Sequence, residues 1–190
     1  MRKLVMFNHV SLDGFFTDAK NDMSWAHKQD AEWNAFAEGN AASGGVLLFG
    51  RVTYDLMSSY WPTPAALQQF PKIAERMNNL PKVVFSRTMD KASWKNTELV
   101  KGDPATAVRT MKESTGPDMA IMGSGTIVSL LAQAGLIDVY QIVVNPIVLG
   151  KGRTMFESVT EKMPLKLTES RTFGNGNALH CYEPVKWSRV

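Results

Sequence analysis

At 190 residues, 44% apolar and 21% charged, the chain has the makeup of an ordinary soluble globular protein, long enough to bury one sizeable core. A net charge of +3 with no run of lysines and arginines excludes a polybasic nucleic-acid or membrane face and suits a small anionic molecule better than a polymer. The single cysteine, Cys181, excludes an intrachain disulfide and a cysteine-rich zinc cluster, and no stretch nears the roughly 20 apolar residues that span a bilayer.

The N-terminal MRKLVMFNHVSLDG has neither the long apolar segment nor the small-residue cleavage site of a signal peptide, so a cytoplasmic location is expected. Leu4 to Val10 reads as a first strand, dense in residues suited to a sheet buried on both faces. Ser11-Leu12-Asp13-Gly14 turns the chain, and Phe15 and Phe16 then point different ways, one to the core and one to a pocket wall; Phe16 is the candidate for the wall. A polar loop leads to Trp25. Asp30 is placed to cap a helix carrying Trp33, Phe36 and Ala37, which runs out in the small residues Gly39 to Ser43 and then Gly44-Gly45.

Val46 to Phe49 is a second buried strand closed by Gly50-Arg51, and Thr53 can cap the helix that follows, with Tyr54, Met57 and Tyr60-Trp61 on its apolar face. Pro62 and Pro64 end it. Ala65 to Asn79 is helical in period but interrupted at Pro71. Lys82 to Phe85 is a third strand, Thr97 to Val100 is β-leaning, and Asp103-Pro104 starts a helix that stops before Gly116-Pro117.

Residues 118–156 then change period twice. Met119 to Met122 is a short apolar run, Gly123-Ser124-Gly125 breaks it, and Ile127, Leu130, Leu131 and Ala134 fall on one helical face. Gly135 sits where a helix ends, and Val139 to Val144 is β-rich, so the whole reads as a βαβ crossover. Leu165 to Ser170 and Ala178 to Tyr182, joined through Gly174 to Asn177, read as a late hairpin. No repeat or linker interrupts residues 1–190, which form one α/β domain.

Three βα turns end in small or polar residues: Gly50-Arg51-Val52-Thr53, Ser86-Arg87-Thr88 and Gly123-Ser124-Gly125-Thr126. If they share one sheet edge, two arginines and two helix N-termini converge on one crevice able to grip phosphate. The alternatives are solvated arginines and glycines needed only for a left-handed turn; the dinucleotide fingerprint G-x-G-x-x-G is incomplete, with Val128 at its third position. Asp30 with Trp25 is either a helix cap beside a core tryptophan or a desolvated carboxyl on a pocket wall, able to bind an N–C–N edge or manage a proton. His9, His27 and His180 lack metal-ligand spacing, no metal is expected, and Cys181 reads as a small buried thiol.

SLDGFF (residues 11–16), LLFGRVTYDLM (47–57), PKVVFSRT (81–88) and IMGSGTIVSLLAQAGLIDVYQIVVNPIVLGKGRTMF (121–156) together resemble the dihydrofolate reductase superfamily. The closer resemblance is to its branch similar to the C-terminal reductase domain of bacterial riboflavin biosynthesis proteins. That resemblance implies a three-layer α/β fold with a mostly parallel central sheet and an antiparallel C-terminal hairpin. It also implies NADPH as hydride donor to a small-molecule substrate, and a homodimer. Gly50, Arg51 and Thr53 match the family's turn around the cofactor phosphates, Ser86 and Arg87 the turn beside the 2′-phosphate, and Gly123, Ser124, Gly125 and Thr126 the turn under the pyrophosphate. Val10, Ser11, Asp13 and Gly14 match the nicotinamide side and its covering loop. Trp25 and Asp30 keep the spacing of the folate enzymes' pocket tryptophan and acid, but Asn34 stands where those enzymes have phenylalanine and Leu80 where they have the arginine for the glutamate tail. The implied reaction is reduction of 5-amino-6-(5-phosphoribosylamino)uracil, with Asp30 catalytic and Trp25, Asn34 and Phe16 on the substrate. Dihydrofolate reduction and non-catalytic nucleotide binding on the same fold are the alternatives. The zinc deaminase signature H-x-E…P-C-x-x-C is missing from this chain.

Overall fold

A computed structural model of the chain describes residues 1–26, 30–42 and 45–185; His27, Ser43 and Gly44 lie outside the described residues. In chain order the strands are β1 (Leu4–Ser11), β2 (Phe15–Asp18), β3 (Val46–Gly50), β4 (Lys82–Phe85), β5 (Thr97–Val100), β6 (Met119–Met122), β7 (Val139–Asn145), β8 (Gly152–Thr154), β9 (Leu165–Thr172) and β10 (Ala178–Pro184). The helices are α1 (Ala31–Ala42), α2 (Arg51–Tyr60), α3 (Pro64–Gln69), α4 (Pro71–Asn79), α5 (Pro104–Glu113) and α6 (Gly125–Gln133).

Eight strands form one sheet in the order β5-β4-β3-β6-β1-β7-β10-β9. The first six run parallel, and β10 and β9 close the sheet antiparallel. A parallel sheet must be covered on both faces, which is why β3 and β4 are buried at every position. On one face Leu4, Met6, Leu48 and Ile121 pack under Val108 of α5 and Val128 and Leu131 of α6. On the other, Leu47, Phe49 and Val84 meet Tyr54 of α2, Met77 of α4 and Trp94, while Phe7, Val143 and Leu179 meet Trp33 and Phe36 of α1. The result is three layers, with Cys181 buried among the last group and its thiol pushed up by that burial.

One expectation changes, the break at Pro71 holds, and one strand pair is new. α2 begins at Arg51 with Gly50 as its N-cap, so Thr53 lies inside the helix rather than capping it. Ala65 to Asn79 is two helices, because Phe70 leaves helical geometry (φ −135°, ψ 61°) and Pro71 restarts the chain at a first helical position, where its missing N–H costs nothing. β2 and β8 pair as a separate two-stranded antiparallel ribbon, each too short to show a period in sequence.

Lys82 on β4 is 1% exposed. Its ammonium donates to the carbonyls of Leu80 (2.6 Å) and Asn78 (3.2 Å) at the end of α4, and it lies 4.5 Å from the centroid of the Trp94 ring. Burial, helped by the charge of Lys95, lowers its pKa from 10.5 to about 8. Below about 8 both folded and unfolded chains hold this proton, and the cost of burying the charge is fully present. Between about 8 and 10.5 the folded chain releases it first, so stability contributed at this position rises with pH. Lys82→Met should flatten that part of the pH–stability curve measured by urea unfolding; an unchanged slope would locate the titration elsewhere.

Candidate functional site

Six parallel strands carry all their C-terminal ends to one edge of the sheet. The chain leaves β1 toward β3 on one side and leaves β6 toward β7 on the other, so the ends of β1 and β6 flank a topological switch point, where such sheets hold ligands. The three turns singled out in the sequence lie along this rim and are tied to one another. Ser124 Oγ accepts the Gly50 N–H at 2.9 Å and lies 3.0 Å from Thr53 Oγ1, joining the β6–α6 turn to the β3–α2 turn. Arg51 Nη1 donates to Thr88 Oγ1 at 2.6 Å, joining the β3–α2 turn to the one that follows β4.

Local backbone makes this possible. Gly123 (φ 78°) and Ser124 (φ 64°, ψ 76°) are both left-handed. That conformation costs a serine about 1–2 kcal/mol, offset here by the two bonds of its hydroxyl. The glycines serve interlocking rather than an open cradle. A Cβ at Gly50 would strike the Ser124 side chain, and one at Gly125 would stand 2.7 Å from two atoms of the Phe16 ring. Of the two readings of these glycines, left-handed geometry applies at Gly123 and close protein packing at Gly50 and Gly125.

The electrostatics of the rim favour an anion. α2 and α6 begin without a side-chain cap and without an acidic residue in the first turn; the N-cap Gly50 N–H goes to Ser124, and the first-turn N–H groups that follow bond no side chain among the described residues. By contrast α5, which starts on the same edge, is capped by the Asp103 carboxylate. Arg51, Arg87, Thr88 and Thr126 are exposed around the two uncapped termini, and Arg51 also faces Asp55 at 3.5 Å. Ser86 uses its hydroxyl locally, accepting the Met89 N–H at 3.1 Å.

At the end of β1 the Ser11 side chain is buried and donates to Asp13 Oδ1 at 2.6 Å while accepting the Phe15 N–H at 2.9 Å. Asp13 also accepts the N–H groups of Leu149 (3.1 Å) and Gly150 (2.7 Å). The Ser11 hydroxyl, with these two amides, holds its carboxyl below the usual range. Asp13 thus latches the Leu12–Gly14 turn onto the segment after β7, and Gly14 (φ 87°) supplies that turn's left-handed residue. Asn145, missed in the sequence reading, is 0% exposed and sends Nδ2 to the carbonyls of Val10 and Val143, both at 3.1 Å, and to within 3.2 Å of His9 Nδ1. An asparagine before a proline at a strand end was its one sequence signal.

Asp30 is the helix cap expected of it. Oδ1 caps α1 by accepting the Trp33 N–H at 2.6 Å, while Oδ2 is buried with no hydrogen-bond partner among the described residues. A Cβ at Gly174, in the β9–β10 turn, would lie 3.5 Å from that oxygen. Asn34, one turn into α1, is partly exposed, as is Trp25, whose Nε1 donates to the Asp22 carbonyl at 3.0 Å. Phe16 is a correction: it is 5% exposed and belongs to the core beneath α6, while its neighbour Phe15 is the partly exposed one. Among the described residues no three His, Cys, Asp or Glu side chains group so as to hold a metal ion, and no helix is long and apolar enough to cross a membrane.

This sheet order and rim define an α/β protein of the dihydrofolate-reductase-like fold. Residues 2–179 match the RibD C-terminal domain, and the chain belongs to that family. A Shewanella sp. PV-4 protein named for riboflavin biosynthesis superposes with a TM-score of 0.74 at 21% identity, covering 97% of this chain and 99% of its own. Dihydrofolate reductase from Enterococcus faecalis, solved in complex with NADP(H), gives 0.63 at 13% identity over 96% of each chain. The uncharacterized protein YyaP of Bacillus subtilis is 24% identical over 176 residues, 92% of this chain and 91% of that protein.

The interlock can be tested by Gly50→Ala. The backbone there (φ −80°, ψ 164°) suits any residue, so the loss reports the crowding of the new Cβ against Ser124 and Ile127 of the β6–α6 turn and α6. Urea unfolding should show a loss of about 1–3 kcal/mol. A neutral result would mean the Ser124 bridge is not tight.

Proposed function

We propose that this chain is an NADPH-dependent reductase of a small heterocycle, most like the reduction of 5-amino-6-(5-phosphoribosylamino)uracil. The observation that carries the proposal is the rim itself: two uncapped helix N-termini and two exposed arginines, bound together through Ser124 and Arg51. Farther along the same sheet edge, by the β9–β10 turn, lies a buried carboxylate oxygen with no partner among the described residues. A dinucleotide carrying several negative charges suits that set, since each helix terminus contributes only about 0.3–1 kcal/mol and the sum needs several.

NADPH, when bound, supplies a hydride to the substrate. The N-termini of α2 and α6, with Arg51 and Thr126, would hold its pyrophosphate, and Ser86 and Arg87 its 2′-phosphate. Val10, Ser11 and Gly14 would line the nicotinamide side, with Asp13 keeping their turn closed. Asp30 Oδ2 would accept an N–H of the substrate or hold a proton for it, and Trp25 and Asn34 would flank the ring. Membership of the RibD C-terminal domain family and the likeness to an NADP(H)-bound dihydrofolate reductase support this reading. Against folate itself, Leu80 packs into the apolar cluster around Leu47 and Phe49, so a side chain that cannot bind carboxylate occupies the tail position. A cytoplasmic enzyme fits this chemistry.

Turnover assays with NADPH on the aminouracil and on dihydrofolate test the substrate; faster dihydrofolate turnover would reverse the assignment. Arg87→Ala should weaken NADPH by roughly tenfold or more and NADH little, because a charge-assisted bond to the 2′-phosphate is lost only with the former. Equal losses in a fluorescence titration would remove Arg87 from that role. Asp30→Asn should lower kcat/KM about 100-fold or more with NADPH affinity unchanged. Cofactor binding without turnover in the wild type would instead favour a non-catalytic nucleotide-binding protein.

A further inference from the structure

Where the sheet meets the start of α1, several side-chain polar atoms are buried without a partner. Asn177, the residue before β10, is 0% exposed, and neither its Nδ2 nor its Oδ1 makes a hydrogen bond among the described residues. The same holds for Oδ1 of Asn145, also 0% exposed, and for Oδ2 of Asp30. The topology brings the three residues together. Ala178 pairs with Val144, so the next position sets Asn177 opposite Asn145. Leu179 and Val143 pack with Trp33 of α1, and alternation along each strand turns Asn177 and Asn145 to that same face. Gly174 faces Asp30 Oδ2 from the turn that the Phe173 N–H closes onto the Asn177 carbonyl at 2.9 Å.

Burying an amide without a partner is costly, and an asparagine at a turn ordinarily spends its side chain on nearby backbone. Asn175 does so, its Oδ1 accepting the Asn177 N–H at 3.0 Å. Asn177 is held by its own backbone on both sides, which leaves its carboxamide for a group the turn does not supply.

We propose that Asn177, with Asn145 Oδ1 and Asp30 Oδ2, recognises an amino-substituted cyclic amide. A carboxamide pairs with a ring edge on which C=O stands beside N–H, Nδ2 donating to the carbonyl and Oδ1 accepting the N–H. The two further oxygens call for more N–H groups, which amino substituents on the ring supply. The inference rests on the proposed reading of this end of the sheet as the substrate side, and it adds the residue that selects the ring's amide edge. The ring enters between the first turn of α1 and the β9–β10 turn. Glu32 clasps these two, accepting from Arg171 at 2.9 Å and from the Gly174 N–H at 3.3 Å. Both partners of that ion pair are about half exposed, where such a contact opens at little cost.

Titration of the full chain with 6-aminouracil and with 6-amino-1,3-dimethyluracil, followed by calorimetry and without cofactor, tests this. The first ring keeps the N–H beside its carbonyls and the second has lost it. The wild type should bind the first at least tenfold more tightly, since a site built to pair with an N–H rejects a ring that lacks it. Asn177→Leu should weaken 6-aminouracil by roughly tenfold and erase the preference, with an unchanged circular dichroism spectrum. Asn177→Ala, too small to clash, should do the same and decides the matter if the leucine variant misfolds. A wild type that shows no such preference, or a folded variant that keeps it, would overturn the proposal. Binding with this preference but without turnover by NADPH would leave it standing and overturn the reductase reading instead.

Discussion

One serine hydroxyl fixes the geometry of the rim. Ser124 Oγ receives the Gly50 N–H and touches Thr53 Oγ1, so two turns 74 residues apart in sequence are held at hydrogen-bond distance. The bond requires a left-handed serine, a left-handed glycine before it and no Cβ on Gly50. The spacing of the α2 and α6 N-termini, and with it the distance between any two phosphates they could hold, follows from that contact. Side-chain flexibility contributes little to this spacing, because the strain is confined to backbone that packing over-determines.

The same sheet that makes the rim also makes its charge. Parallel strands return through helices whose N-termini must all start on one edge, so partial positive charge accumulates there without any lysine being needed. What distinguishes a ligand-facing terminus from a structural one is then the cap. α5 neutralises its own terminus with Asp103, whose carboxyl is held below its usual range chiefly by the Thr106 amide and then by its hydroxyl. α2 and α6 carry no such group. A mildly basic chain can therefore present a focused anion site while its surface lysines and arginines stay dispersed.

Elements with a strong period or a clear punctuation residue were legible in the sequence. β3, β4, β6 and α6 fall within a residue or two of where apolar runs and glycines place them, and Asp30 and Asp103 mark their helix starts. Legibility failed where the deciding contact is distant. Thr53 has the chemistry of a cap, but Ser124 supplies its partner from across the sheet, so the helix begins two residues earlier. Phe16 and Phe15 are indistinguishable by local pattern, and only the approach of Gly125 decides which is buried. Asn145 gives almost no local signal, because its three acceptors come from β1 and from its own strand. At Asp30 the cap was legible, but the burial of the second oxygen was not, because it depends on the distant Gly174 turn.

The two sides of the proposed site are built from different materials, and this bears on how a family can change substrate. The rim proposed to hold phosphate consists of backbone N–H groups, left-handed turns and one interlocking hydroxyl, all of which the fold needs in order to close. A substitution there breaks the turn before it alters the ligand. The proposed substrate side would be assembled from partly exposed side chains, Trp25 and Asn34, and a carboxylate already anchored as a helix cap. Asn34 sits partly exposed on the first turn of α1, whereas Leu80, the C-cap of α4, packs against the cluster of Leu47 and Phe49. On that reading, a change at position 34 would alter which ring is accepted while leaving α1 capped and the rim intact. On the proposed reading, the physics of the fold protects the anion-facing turns and leaves a partly exposed position such as Asn34 open to divergence.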